Sequence, residues 1–82
     1  MSEFTEIKMA EMNEILSVSQ GQEKAVEVSF TRGKMTDTFV GIYRGFDATE
    51  GKLNFYNEAE RFMRGIPLDR IVDLTYAGSD DD

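Results

Sequence analysis

The first part of the chain carries apolar residues at the spacing of an amphipathic helix. This apolar stripe consists of Phe4, Ile7, Met9, Met12, Ile15 and Leu16. It predicts a helix over about residues 4–18, ended near Gly21, which adopts a left-handed conformation at little cost. We expect the stripe to pack on the core of the domain. Its methionines also suit a second, compatible role as an adaptable surface for a partner.

After Gly21 the apolar positions alternate with polar ones, which is the period of β-strands. Val26, Val28 and Phe30 fall on one face of the first of them. The whole pattern predicts five strands, at residues 26–31, 36–46, 52–56, 61–64 and 72–76, with Leu53 and Phe55 facing inward in the third and Val72, Leu74 and Tyr76 alternating in the last.

Glycine and proline indicate where the predicted strands bend or stop. Gly41 and Gly45 lie inside the longest strand, and we expect them to let it curve. Pro67 has no N–H to donate to a strand ladder, so it belongs at a sheet edge or at a strand start. Residues 69–71 predict a single helical turn before the last strand.

Together these elements predict a mainly β fold with an N-terminal helix. The five strands are expected to form a strongly bent small barrel of the SH3-like or Sm-like kind. The 82 residues make a single domain, which we place at residues 1–79, with the barrel at about 24–77. Residues 80–82 are three aspartates and predict a disordered, solubilising tail.

The net charge of −7 is concentrated at the two ends of the chain. Residues 1–23 hold five glutamates against one lysine, and the tail adds three aspartates, so residues 24–79 balance eight acidic against eight basic side chains. Nucleic-acid binding requires a local basic surface rather than a favourable total charge, although scattered solvated charges are the commoner arrangement. The candidates for such a surface are Arg32, Lys34, Arg44, Lys52, Arg61, Arg64 and Arg70.

The sequence contains no Cys and no His, which removes disulfides, thiolate metal sites and the commonest general base. Neighbouring carboxylates such as Asp47 and Glu50 fall in predicted turns, where turn formation explains them. No apolar run approaches the length of a membrane span, and residues 1–6 lack the features of a signal peptide. We therefore expect a cytoplasmic protein that is not an enzyme, has no cofactor or metal, and does not enter a membrane.

Two short motifs resemble those of the Sm and Sm-like proteins. Gly41 in a strand is followed six residues later by Asp47 in a loop, and Met63-Arg64-Gly65 stands ahead of Ile71. The order of one helix and five strands is similar as well. The resemblance implies an oligomeric ring whose loops bind single-stranded, often uridine-rich RNA. The loop asparagine of that family has no counterpart here, since residues 48–51 are Ala-Thr-Glu-Gly.

A longer stretch, from about Met12 to Tyr76, resembles the YolD-like family of small bacterial proteins. The shared segments are the strand Val26–Phe30, the run Val40–Asp47 and the ending Ile66–Leu74. Members of that family are associated with error-prone DNA polymerases. The resemblance implies a non-catalytic accessory protein with a protein partner of that kind.

Three functions from different classes follow. A protein-interaction module, YolD-like or SH3-like, would use aromatic residues outside the core as anchors, with Tyr43 and Tyr56 the first candidates. An Sm-like RNA binder would form an oligomer with Asp47, Arg64 and Gly65 near the bound bases. A self-assembling structural protein would form the oligomer without a ligand. We favour the interaction module, with a protein partner or self-association, because the chain is acidic and lacks the loop asparagine.

Overall fold

One α-helix is followed by five β-strands in the computed structural model of the chain, which describes residues 2–78 and the side chains of residues 9–78. The elements in chain order are α1 Ser2–Gln22, β1 Ala25–Arg32, β2 Met35–Asp47, β3 Lys52–Asn57, β4 Phe62–Pro67, a 3₁₀ turn Leu68–Arg70, and β5 Ile71–Tyr76. The prediction of a mainly β fold with an N-terminal helix is confirmed. The predicted acidic tail, residues 80–82, lies outside the described residues.

All five strands belong to one antiparallel sheet in the order β4-β3-β2-β1-β5. Strands β4 and β5 are its two edges and do not pair with each other within residues 2–78. The expected barrel is therefore not closed: the structure is an open five-stranded sheet. The 3₁₀ turn Leu68–Arg70 carries the chain from one edge strand directly to the other.

Helix α1 is longer than predicted, since it covers Ser2–Gln22 rather than about residues 4–18. The expectation that Gly21 ends it is wrong, because the helix continues through that residue. The left-handed conformation is taken instead by Glu23, with φ of 54°. The helix end is held by hydrogen bonds of Ser19, described below, rather than by the conformational freedom of a glycine.

The hydrophobic core lies between the inner face of the sheet and the second half of α1. It consists of Leu16, Val26, Val28, Phe30, Leu53, Phe55, Ile66 and Leu74. The inward positions predicted for the first and third strands are thus confirmed. Met12 and Ile15 are partly buried against the same cluster, so the apolar stripe of the helix is part of the core. Each large apolar side chain that is fully buried stabilises the fold by about 2 kcal/mol.

The two glycines of β2 occupy positions that a side chain would disturb. A Cβ on Gly41 would lie 2.9 Å from the carbonyl oxygen of Tyr56, so β2 and β3 approach too closely there for any other residue. Gly45 has φ of 135°, and the pairing with β3 shifts between Tyr43 and Gly45. Arg44 is therefore the extra residue of a β-bulge, which bends the strand.

Strand β5 contains a second irregularity at Val72. Asp73 pairs with Ser29 of β1, but Ile71 pairs with Phe30, so Val72 has no partner in the ladder. The alternation predicted for the last strand is wrong at this position. Ile71 packs against the core instead, and Val72 is exposed.

Strand β4 covers Phe62–Pro67 rather than the predicted residues 61–64. Arg61 has a left-handed φ of 55° and belongs to the preceding turn, which moves the start of the strand forward. Pro67 is the last residue of this edge strand, in agreement with the prediction for proline.

The hydroxyl of Ser19 joins the helix to the sheet. Ser19 has no solvent exposure, and its Oγ donates a hydrogen bond to the carbonyl of Lys24 at 2.6 Å. The same Oγ accepts a hydrogen bond from the backbone N–H of Tyr43 at 3.0 Å. The backbone carbonyl of Ser19 accepts from the N–H of Lys24, also at 3.0 Å. One side chain thus connects the end of α1, the residue just before β1 and the middle of β2.

We expect Ser19→Ala to lower the free energy of unfolding by about 1–3 kcal/mol, because it leaves the Tyr43 N–H and the Lys24 carbonyl without their partner. Chemical denaturation measures the change. Ser17→Ala is the matched control, since Ser17 lies on the same helix and is exposed. Equal losses in the two variants would contradict the role assigned to the Ser19 hydroxyl.

Candidate interaction site

An apolar groove opens between helix α1 and the sheet, and we call it the helix groove. It is bounded by the helix, the end of β2, the 3₁₀ turn and the start of β5, and its volume is about 1140 Å³. Its apolar lining includes Met9, Met12, Leu16, Phe46, Leu68 and Val72.

Four of the apolar side chains in the helix groove remain exposed. Met9 and Phe46 are each 50% exposed, Val72 46% and Leu68 38%. A single exposed apolar residue is ordinary on a protein surface, but several around one groove are typical of a binding surface. The position of Met9 fits the second role expected for the helix methionines, in which they contact a partner.

Tyr43 lines the helix groove from the side of the sheet. Its ring lies 5.7 Å from that of Phe55, centroid to centroid, and burial raises the pKa of the Tyr43 phenol above its ordinary value. The expectation that alternation leaves Tyr43 outside the core is wrong. Tyr43 pairs with the inward-facing Phe55 and packs partly buried against the core. Its role as an anchor for a partner stays a prediction.

Asp47 and Tyr56 both make local contacts. The Asp47 carboxylate accepts hydrogen bonds from the N–H groups of Thr49 at 3.0 Å and Glu50 at 3.3 Å, which stabilise the turn after β2. Tyr56 lies on the opposite face of β3 from Phe55, and the guanidinium carbon of Arg44 is 5.8 Å from the centre of its ring.

A second, smaller cavity of about 250 Å³ is lined by three arginines, and we call it the arginine pocket. Arg32 comes from the end of β1, Arg64 from β4 and Arg70 from the 3₁₀ turn. Phe30 and Gly65 contribute to the same lining. Three residues of the basic set expected from the sequence thus lie around one cavity.

Arg64 is positioned by two aromatic rings. Its guanidinium carbon lies 5.1 Å from the centre of the Phe30 ring and 5.8 Å from that of Phe39. Both distances are within the range of cation–π attraction. The side chain therefore has a defined place at the end of the core.

The helix groove and the arginine pocket lie on two sides of the 3₁₀ turn, and Pro67 and Arg70 line both of them. The N–H of Leu68 donates a hydrogen bond to the carbonyl of Gly51 at 2.9 Å. This bond ties the 3₁₀ turn to the turn between β2 and β3. The two cavities therefore form one continuous surface around a fixed segment.

The structure brings together only some of the residues predicted to form a site. Arg64 and Gly65 line the arginine pocket, and Tyr43 lines the helix groove. Asp47 and Tyr56 line neither cavity.

Sequence reasoning did not single out Phe46, Leu68 or Val72. Phe46 directly precedes a predicted turn and Leu68 directly follows Pro67, so both are apolar residues at a strand end, where the core does not require them. An apolar residue at a strand end was therefore the sequence feature that could have indicated an exposed apolar surface. The exposure of Val72 depends on the bulge in β5, for which the sequence carries no such signal.

Within residues 2–78, no helix is long and apolar enough to cross a membrane. Among the same residues, no group of three or more His, Cys, Asp or Glu side chains is arranged to hold a metal ion.

We compared the chain with protein-family models, with curated proteins and with solved structures, and none of them matches it. The strands and helix described above define the fold class, which is a small β-rich domain with one helix.

We expect Arg64→Ala to lower the free energy of unfolding by about 1–2 kcal/mol, because the variant loses the cation–π contacts with the rings of Phe30 and Phe39. Thermal or chemical denaturation measures this loss. Arg61→Ala removes the same charge from an exposed turn residue and should change stability by less than about 0.5 kcal/mol. If the Arg64 variant is no less stable than the Arg61 variant, Arg64 does not stabilise the end of the core.

Proposed function

We propose that this chain is a non-enzymatic interaction module that binds an apolar segment of a protein partner in the helix groove. The observation that carries the proposal is the group of exposed apolar side chains around one groove: Met9, Phe46, Leu68 and Val72. Burying such side chains against a partner removes apolar surface from water, which is the main favourable term in most protein association.

The charge of the chain favours a different protein over a second copy as the occupant. Two copies would each bring a net charge of −7, and like charges oppose association. The methionines Met9 and Met12 suit a partner segment because their unbranched side chains adapt to the shape of what they contact.

The absence of catalysis is part of the proposal. With no Cys and no His, catalysis would depend mainly on carboxylates, and the Asp47 carboxylate is occupied by the turn that it stabilises. The resemblance of residues 12–76 to YolD-like proteins supports a protein partner as well. It makes an error-prone DNA polymerase from the same organism the first natural partner to titrate.

The groove is tested by selecting random displayed dodecapeptides on the immobilised protein. We expect the selected peptides to be rich in apolar residues and to bind the Leu68→Glu variant at least about tenfold more weakly. Met35→Glu is the matched control, since Met35 is 71% exposed, lies outside the groove and gains the same charge. Its binding should match that of the unmodified protein.

Circular dichroism of both variants shows whether they remain folded. A selection that yields no peptides, or only peptides that bind the Leu68 variant as well as the unmodified protein, would refute binding in the helix groove.

The alternative function is an Sm-like oligomer that binds single-stranded RNA. Two observations favour it: each edge strand, β4 and β5, has one side that pairs with no strand within residues 2–78, and Arg64 and Gly65 lie together at a basic pocket. Free edges can extend a sheet from one copy to the next. The acidic net charge and the use of the Asp47 carboxylate in a turn weigh against it.

Light scattering after size exclusion, over a range of concentrations, separates the two functions. We expect a monomer or dimer, because charge repulsion opposes a ring of copies that each carry −7. A stable hexamer or heptamer would instead support the Sm-like function. A titration with single-stranded oligoribonucleotides at several salt concentrations would then follow.

A further inference from the structure

Three arginines line one small cavity on a chain whose net charge is −7. Arg32 forms an ion pair with Asp37 at 3.4 Å, and both side chains are exposed. Arg64 and Arg70 have no ion pair within the described part of the chain. The pocket therefore holds positive charge that the protein itself balances only in part.

The donors of Arg64 are held in place without being used by the described residues. Its guanidinium lies over the rings of Phe30 and Phe39, which place the side chain without offering an oxygen acceptor to its N–H donors. No hydrogen bond from this guanidinium to a described residue is found. A planar fork of N–H donors matches the two oxygens of a carboxylate.

We propose that the arginine pocket binds the carboxylate of an aspartate or glutamate in the same partner segment that fills the helix groove. This inference rests on the proposed function and names the chemistry of the partner. The two cavities share Pro67 and Arg70, so a segment lying over the 3₁₀ turn reaches both. The partner is therefore an apolar peptide segment with an acidic residue beside it.

The distribution of charge favours a single carboxylate over a nucleic acid. A carboxylate interacts with the arginines at short range, where the contact outweighs the more distant negative charges, which salt screens. A nucleic-acid strand would bring one further negative charge with every nucleotide close to an acidic protein. The small volume of the pocket, about 250 Å³, also fits one side-chain group.

The test uses dodecapeptides selected on the unmodified protein. We expect them to contain an aspartate or glutamate at a recurring distance from their apolar residues. Changing that residue to asparagine or glutamine should weaken binding at least about tenfold, because charge-assisted hydrogen bonds are lost. This change leaves the protein unaltered, so its folding is not in question.

On the protein, Arg70→Ala should weaken binding of the acidic peptide to a similar degree and should weaken binding of its amide version much less, because only the acidic peptide loses an ion pair. Arg70 is an exposed residue of the 3₁₀ turn and is not part of the core, and Arg61→Ala is the control that removes the same charge elsewhere. Arg64→Ala should have the same effect on the acidic peptide, measured at a temperature at which circular dichroism shows it folded.

The outcomes separate this inference from the proposed function. Some peptides could depend on Leu68 for binding but contain no acidic residue, or keep their affinity when the acidic residue is changed to its amide. Such peptides would overturn the carboxylate site and leave binding in the helix groove in place. Peptides that bind the Leu68→Glu variant as tightly as the unmodified protein would refute binding in the helix groove. Arg70-dependent binding of a single-stranded oligonucleotide, without binding of acidic peptides, would overturn the inference in favour of a nucleic-acid ligand.

Discussion

The buried hydroxyl of Ser19 is the contact on which the geometry of the rest depends. It bonds to the backbone of Lys24, just after the helix, and to the backbone of β2, so it sets where α1 lies against the sheet. The helix is one wall of the helix groove, and the sheet and the 3₁₀ turn form the others. A polar group with no exposure thereby determines the width of an apolar surface. The cost of burying the hydroxyl is offset because both its donor and its acceptor capacity are used.

Departures from regular strand geometry shape the outer part of the molecule. The bulge at Arg44 bends β2, and the residue skipped in the β5 ladder leaves Val72 exposed. Each irregularity moves a side chain or a strand end away from where an even alternation would put it. The exposure of Val72 results from such a shift, since a regular ladder would have directed this side chain toward the core.

Periodicity in the sequence was enough to predict the helix, the five strands and most of the core, because all of these depend on the spacing of apolar residues along the chain. It could not predict the bulge in β5, the left-handed Arg61 or the open sheet, which depend on how strands meet in three dimensions. For the site, the sequence pointed to Arg64 as one of a set of basic residues and to Gly65 through the short motif Met63-Arg64-Gly65. The groove was missed because it exists only once the helix has packed against the sheet.

The hydrogen bond between the Leu68 N–H and the Gly51 carbonyl has a consequence for selectivity. It holds the 3₁₀ turn between the two cavities in place before any ligand arrives. Little conformational entropy of this turn is therefore lost when a ligand binds. A rigid 3₁₀ turn also keeps a constant distance between the apolar helix groove and the cationic arginine pocket. Such a surface discriminates among ligands by the interval between two of their groups, and a ligand with the right groups at the wrong interval engages only one subsite at a time.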